Sequence, residues 1–266
     1  MKLLNLGCGN RFHNDWINID FKSTGPNVKA YNLKKGIPFS DENFDVVYHS
    51  HVIEHFSKEE AYIFIKECQR VLKSNGVLRI AYPDLESLIY HYVRIFKELK
   101  NGNMQYADDY DWIMLELLDQ SVRNYSGGEM FKYFVRERIP NEKFVVDRCG
   151  TEAKKLIDYG RKAYLERINN GGGGINNLIG RFLSKIFKER YRAYKIGRFR
   201  LGGEIHQWMY DSFSLARLLD SVGFVKIISR DSCNSYIENW SNYNLDTEPD
   251  GSIYKPDSAY IEAIKH

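Results

Sequence analysis

The chain has few cysteines: Cys8, Cys68, Cys149 and Cys233 in 266 residues, with no C-x-x-C pair. That usage argues against a disulfide framework or a thiolate zinc cluster, and it fits a reducing compartment, so a cytoplasmic location is expected. Long apolar runs are also missing, so no segment reads as a bilayer span. Met1-Lys2 leads straight into an apolar run, and no signal peptide is expected. Net charge is only +3, and no nucleic-acid motif accompanies it, so nucleic acid is not an expected partner. No internal repeat is visible, which argues against a solenoid.

What is present bounds the architecture. With 43% apolar and 27% charged residues, 266 residues can bury one sizeable core, or a core plus an inserted subdomain. Nineteen Tyr and fifteen Phe make the chain rich in aromatic rings. Such rings line saccharide and nucleobase pockets, and they also fill ordinary cores.

The most informative stretch is the start. Leu3-Leu4-Asn5-Leu6 runs into Gly7-Cys8-Gly9, and a second apolar run, Trp16-Ile17-Asn18-Ile19, ends in Asp20. Glycines let a backbone bend sharply and approach a ligand closely. An acidic residue at the end of the next strand is placed to accept hydrogen bonds from ribose hydroxyls. The dinucleotide fingerprint G-x-G-x-x-G is incomplete, because Phe12 takes its third glycine position and Asp20 arrives too early. A tight structural turn is the alternative reading of G-x-G alone.

The downstream pattern adds weight. Leu33–Phe39 reads as a loop and Asn43–Tyr48 as a buried strand. After His49-Ser50-His51-Val52-Ile53-Glu54-His55, Ser57 and Glu60 form a capping-box signature. Ala61, Phe64, Ile65, Cys68, Val71 and Leu72 then fall on one helical face, Asn75-Gly76 ends the segment, and Val77–Ala81 is the next strand. This order of elements indicates an α/β parallel sheet.

These motifs (L-N-L-G-C-G, W-I-N-I-D, P-F-S-D-E-N-F-D-V-V-Y, H-V-I-E-H and V-L-K-S-N-G-V-L) resemble the class I S-adenosylmethionine-dependent methyltransferases over residues 1 to about 85. The resemblance resumes at Tyr210–His266, which looks like the family's closing helix and antiparallel hairpin. It implies a Rossmann-like sheet, mostly parallel with an antiparallel last strand, and a helical insertion between strands 5 and 6. The core is expected at 1–100 and 205–266, and a substrate-binding or lid subdomain at 101–204. One departure is visible. A parallel crossover usually takes a dozen or more residues, and the space between Gly9 and Trp16 leaves room for a turn or a very short helix. That bears on the wall beside the cofactor's methionine part.

The resemblance implies S-adenosylmethionine as cofactor. Gly7, Cys8 and Gly9 would border its methionine part, and Asp20, with Phe21 beside it, its ribose. Asn32 and Leu33 would meet the adenine, and His49 and Ser50 would pass alongside. Asn32 stands where the family often has Asp. Candidates for accepting the acceptor's proton are His206, Asp84 and His51. An N-cap also explains Asp84, and a structural role also explains His206.

In the insertion, Glu116, Asp119, Gln120 and Arg123 share a helical face before the turn Ser126-Gly127-Gly128-Glu129-Met130. Asp119, Gln120 and Arg123, with Tyr82 and Trp208, are the candidate acceptor contacts. A solvated face with local ion pairs is the alternative. Asn169-Asn170 and Gly171–Gly174 read as a mobile loop before 181–200, which holds eight Lys or Arg and one Glu. Phe182, Ile186, Tyr191 and Tyr194 share one side of that stretch. It reads as a helix packed by its aromatic face, as an anion-binding helix, or as peripheral contact with an anionic inner-membrane face.

L-E-x-x-D-Q-x-V-R-x-x-x-G-G-E-M, G-G-E-I-H-Q-W-M-Y-D and Lys255-Pro256-Asp257-Ser258 resemble bacterial methyltransferases associated with surface-polysaccharide synthesis. That implies O-methylation of a sugar hydroxyl on a glycan or glycan precursor, with another small-molecule acceptor as the alternative. A metal-dependent hydrolase using His49, His51 and His55 is a competing reading, since these residues resemble H-x-H-x-D-H with one residue too many. A NAD-dependent sugar enzyme and a non-catalytic binding module are the others.

Overall fold

The computed structural model describes residues 1–169 and 188–266. In chain order the elements are β1 (Leu3–Leu6), β2 (Ile17–Asp20), β3 (Val28–Ala30), β4 (Phe44–Ser50), α1 (Lys58–Val71), β5 (Leu72–Pro83), α2 (Leu85–Lys100), α3 (Ala107–Val122), α4 (Gly128–Phe134), α5 (Glu142–Asn169), α6 (Lys188–Arg200), α7 (Ser212–Val222), β6 (Phe224–Arg230) and β7 (Ser258–Lys265). They divide into two compact units, residues 1–87 with 207–266, and residues 88–206.

The first unit is a seven-stranded sheet in the order β3-β2-β1-β4-β5-β7-β6. Strands β1 to β5 are parallel, and β7 runs antiparallel to both β5 and β6. This is the mostly parallel sheet with an antiparallel last strand that the sequence resemblance implies. Parallel strands are buried on both faces and therefore read as continuous apolar runs; all four residues of β1 are buried.

One face is closed by α1 and α7. The capping box at Ser57 and Glu60 forms in both directions, and Ala61, Phe64, Ile65, Cys68 and Val71 are buried as their spacing predicts. Leu72, expected on the same helical face, instead opens β5, and Asn75-Gly76, expected to end the segment before the strand, lies within β5. Asp211 caps α7, which buries Leu215 and Leu219 and ends at the left-handed Gly223. These residues pack on Leu4, Leu6, Ile19, Val47 and Ile80.

The other face is built differently. No helix forms between β1 and β2, as the short spacing leads one to expect. Trp16 folds onto the sheet with Leu3, Val46 and Tyr48, and the β6–β7 connection, residues 231–257, adds Ile237, Trp240 and Leu245. Trp240 meets the rings of Tyr48 and Trp16 at 5.1 and 6.1 Å. The expected closing hairpin is therefore a hairpin whose long connection serves as a wall. Its anchor is Arg79 on β5, wholly buried, paired with Asp246 of the connection at 2.8 Å and with Glu262 of β7 at 2.8 Å.

The second unit is helical. Trp112, Tyr133, Phe134, Val145 and Ile157 form its core, and α5 breaks at Gly150, whose φ is 70°. The division falls after residue 87 rather than 100 because most of α2 packs with the insertion. Tyr92 and Phe96 lie 6.2 and 6.4 Å from Tyr110, and His91 lies 6.0 Å from Phe144. Residues 170–174 of the glycine run and residues 181–187 of the basic stretch, Phe182 and Ile186 included, lie outside the described residues. Residues 188–200 are helical, but Tyr194 is 62% exposed, so its ring is not part of a packed aromatic face. Among the described residues no helix is long and apolar enough to cross a membrane.

Candidate functional site

The glycine turn closes on the carboxylate at the end of β2. Gly7 and Cys8 donate their amide hydrogens to the Ile19 carbonyl at 2.8 and 3.2 Å. Gly9 N–H donates to Asp20 Oδ2 at 2.8 Å. Gly7 and Gly9 have φ of 65° and 53°, in the left-handed region, which glycine enters without steric cost. A Cβ on Gly7 would sit 2.3 Å from Val52 Cγ2, whereas one on Gly9 would meet nothing within 4 Å. Gly7 is thus fixed by packing, and Gly9 opens onto free space. Cys8 is buried, and burial, with the Asp20 charge adding to it, pushes its thiol up to about 12. It is a neutral wall of the turn and no nucleophile.

Asp20 is half-buried. Its Oδ1 takes a 3.3 Å hydrogen bond from Lys22 N–H. Each carboxylate oxygen offers two acceptor sites, so both retain capacity for a vicinal diol. That capacity and the open side of Gly9 fit the ribose of a nucleoside cofactor. Phe21 beside it is 60% exposed. Asn32 Oδ1 accepts from Lys34 N–H at 3.0 Å and so caps the turn over Leu33–Lys35, with Leu33 half-buried.

The end of β4 separates two histidines. His49 is wholly buried, its ring 5.1 Å from Phe64 of α1, and both ring nitrogens lack a hydrogen-bond partner. It faces the α1 side of the sheet, so the expectation that it passes beside a cofactor is corrected. A ring sealed there also cannot share an ion with His51, which removes the ligand set of the hydrolase reading. Ser50 is half-buried at the strand end.

Burial holds the His49 pKa down to about 4, against an opposing pull from Glu54. The unfolded chain takes up a proton near pH 6.5, one that the folded chain refuses until about pH 4. Stability from this site is therefore complete above pH 6.5 and declines as pH falls toward 4, by about 3 kcal/mol in all. His49→Phe is expected to flatten that acid limb. Urea unfolding of both proteins at neutral pH and at about pH 4.5 checks it, and an equally steep limb in the variant contradicts it.

His51 adopts φ 53° just past β4. Left-handed backbone in a non-glycine residue is strained, and such strain clusters at functional sites. Its backbone N–H donates to Ala81 O at 2.9 Å. Its Nδ1 faces Glu54 Oε1 at 3.4 Å and its Nε2 meets Ser258 Oγ at 2.7 Å. Glu54 is wholly buried. Because Val52 packs against Gly7, His51 is brought to the glycine turn.

The remaining candidates of this unit are placed differently. Asp84 Oδ1 accepts from Ser87 N–H at 2.9 Å and so caps α2. Tyr82 is 1% exposed, and burial, then the charges of Asp84, Glu86 and Asp211, pushes its hydroxyl pKa up. As a core residue it is not a surface contact for an acceptor. Trp208 is exposed, with Lys58 Nζ 3.7 Å from its ring centre.

In the second unit, most of the polar face of α3 is spent on the fold. Asp119 accepts from Glu129 N–H at 2.7 Å and from Met130 N–H at 3.4 Å, holding the Gly127–Gly128 turn at the start of α4. Glu116 pairs with Arg148 at 2.7 Å. Arg123 meets Glu204 Oε1 at 3.2 Å. Asp119 and Arg123, expected as acceptor contacts, are engaged within the fold: backbone donors of the glycine turn take the Asp119 carboxylate, and the Arg123 guanidinium donates to Glu204. Gln120 is half-buried, and its carbonyl accepts from the N–H of buried His206 at 2.9 Å.

Sequence reasoning missed Glu54, Ser258 and Arg11. Glu54 stood inside the H-V-I-E-H motif and Ser258 inside K-P-D-S, but only folding joins them at His51.

Comparison with known proteins bears on the same unit. Residues 18–80 match a family profile described as a methyltransferase domain. No curated protein matches. Among solved structures, the chain resembles an S-adenosylmethionine-dependent methyltransferase of Archaeoglobus fulgidus at 14% identity, covering 99% of this chain and 86% of that one, with a TM-score of 0.40. A Thermotoga maritima S-adenosylmethionine-dependent methyltransferase gives 12% identity over 100% and 82% of the two chains, TM-score 0.40. The YcgJ protein of Bacillus subtilis gives 20% identity over 35% of this chain, TM-score 0.26, and the chain spans about half of its length, 51%. At these identities and scores the likenesses carry no further argument. The profile match over residues 18–80 and the β3-β2-β1-β4-β5-β7-β6 order agree with the Rossmann-like methyltransferase sheet that the sequence resemblance implies.

Proposed function

We propose that this chain methylates a hydroxyl of a sugar, on a glycan or a glycan precursor. The observation that carries the reading is the glycine turn closed on Asp20 at the carboxyl edge of the parallel strands, where ligands of open α/β sheets bind. Bound there, S-adenosylmethionine supplies a methyl group on a positively charged sulfur. The chain's own part is to align the acceptor oxygen and to take its proton. Asp20 accepts from the ribose hydroxyls, and the Gly7–Gly9 backbone leaves room for the methionine part.

His51 suits the proton better than Asp84 or His206. Its Nδ1 is oriented by a buried carboxylate, and its Nε2 already meets a hydroxyl oxygen at 2.7 Å. An alcohol's proton passes to Nε2 directly or by way of Ser258. The sugar acceptor is supported by the motifs that resemble methyltransferases of surface-polysaccharide synthesis.

The test is methyl transfer from cofactor labelled in its methyl group to a panel of saccharides, with the product read by mass spectrometry. An O-methyl sugar is expected, and transfer to nitrogen or carbon alone overturns the reading. His51→Ala is expected to lower turnover by about 10²–10⁴-fold while affinity for S-adenosylhomocysteine stays within about twofold. Unchanged turnover removes His51 from the chemistry.

A further inference from the structure

The loop after the glycine turn is tied to the β6–β7 connection through one side chain. Arg11 Nη1 meets Glu248 Oε2 at 3.2 Å, Nη2 donates to the Thr247 carbonyl, and the guanidinium carbon lies 4.1 Å from the centre of the Tyr254 ring. The Arg11 backbone is held on the other side: its N–H donates to Cys8 O at 2.9 Å, and Asn5 Nδ2 donates to its carbonyl at 3.3 Å. Arg11 therefore links the turn to the connection at both ends.

The connection is itself anchored in the sheet one residue earlier. Asp246 accepts from Tyr48 Oη at 2.5 Å and from Arg79 Nε at 2.9 Å. Asp246, Thr247 and Glu248 thus carry a continuous path from the buried Arg79 pair to the glycine turn. In this sheet no helix follows β1 to brace that turn.

We propose that Arg11, held by Glu248, Thr247 and Tyr254, is a positioning residue for cofactor binding, and that the β6–β7 connection braces the glycine turn in place of a first crossover helix. The inference rests on the reading that this turn binds S-adenosylmethionine. Arg11 need not touch the cofactor. It fixes the loop whose Cys8 carbonyl and Gly9 N–H set the shape of the turn.

Calorimetric titration with S-adenosylhomocysteine tests it on the full chain. Arg11→Ala is expected to weaken binding about tenfold or more, as lost support behind a binding group does. Glu248→Ala is expected to weaken it too, and the double variant should lose less than the sum of the two, since both remove one link. Arg11→Lys keeps the charge without the fork and should recover part of the affinity. Leu219→Ala, a core truncation on the opposite face, is the control for general destabilisation: its melting temperature should fall with the dissociation constant unchanged. If wild type binds and Arg11→Ala binds equally well, the inference is overturned. If Leu219→Ala loses as much affinity as Arg11→Ala, the effect is general destabilisation and the inference is overturned as well. If wild type fails to bind, the cofactor reading falls and takes the inference with it.

Discussion

Arg79→Met is expected to cost about 3–5 kcal/mol of folding stability, the usual consequence of removing one partner from a buried ionic group. Arg79 is completely shielded from solvent and makes charged hydrogen bonds to Asp246 at 2.9 Å and Glu262 at 2.8 Å. It also donates to the carbonyls of Asn234 at 3.0 Å and Asp231 at 2.7 Å. Its guanidinium lies 4.5 Å from the Trp240 ring centre and 5.2 Å from that of Tyr260. Methionine would replace the stem, leaving buried Asp246 without its cation and buried Glu262 with Arg230 alone, at 3.1 Å. Burial already pushes the Asp246 carboxyl up against the pull of Arg79. Urea unfolding monitored by tryptophan fluorescence reads the change, and Trp240 on the connection reports it locally. A loss below about 1 kcal/mol, the range of exposed pairs, would show that the pair does not anchor the connection.

Gly7→Ala is the second large effect, and Gly9→Ala is its control. Both positions demand left-handed backbone, with φ 65° and 53°, worth about 1–2 kcal/mol against a residue with a Cβ. Only Gly7 also lacks space, because its Cβ would lie 2.3 Å from Val52 Cγ2. Relief must push Val52 and the His51 backbone away from the turn. Gly7→Ala is therefore expected to cost about 2–5 kcal/mol and to abolish measurable cofactor binding. Gly9→Ala should cost only the backbone part. Equal melting temperatures for the two variants would mean that the approach of Val52 to Gly7 does not constrain the turn.

Much of the sheet unit was legible because its signals are local. The apolar runs, the capping box at Ser57 and the stripe from Ala61 to Val71 depend on residues a few positions apart, and each appears where its spacing implies. The G-x-G turn and Asp20 were legible for a related reason. They lie on adjacent strands, and Gly9 and Asp20 are joined by a single hydrogen bond at 2.8 Å. The wall on the other face was not legible. Arg79 finds Asp246 across 167 positions and Glu262 across 183, and no sequence period marks such partners.

Position in a motif also gave no depth. His49 and His51 differ by two residues, yet one ring is sealed against Phe64 and the other is turned by a left-handed backbone toward Ser258. Asp119 and Asp84 show a different limit. Each was a candidate for chemistry beside a structural alternative (an N-cap for Asp84, a solvated face for Asp119), and each accepts backbone N–H at the start of a helix, which is the alternative given for Asp84. The boundary near residue 100 shifted because the aromatic rings of α2 face Tyr110, a pairing that periodicity does not reveal.

Calorimetric titration of the purified chain with S-adenosylhomocysteine, with NAD as the control, tests the central claim most directly. The account predicts saturable binding of the first, none of the second, and loss of binding in Asp20→Ala. Preference for NAD, or no saturable binding of either, would contradict it.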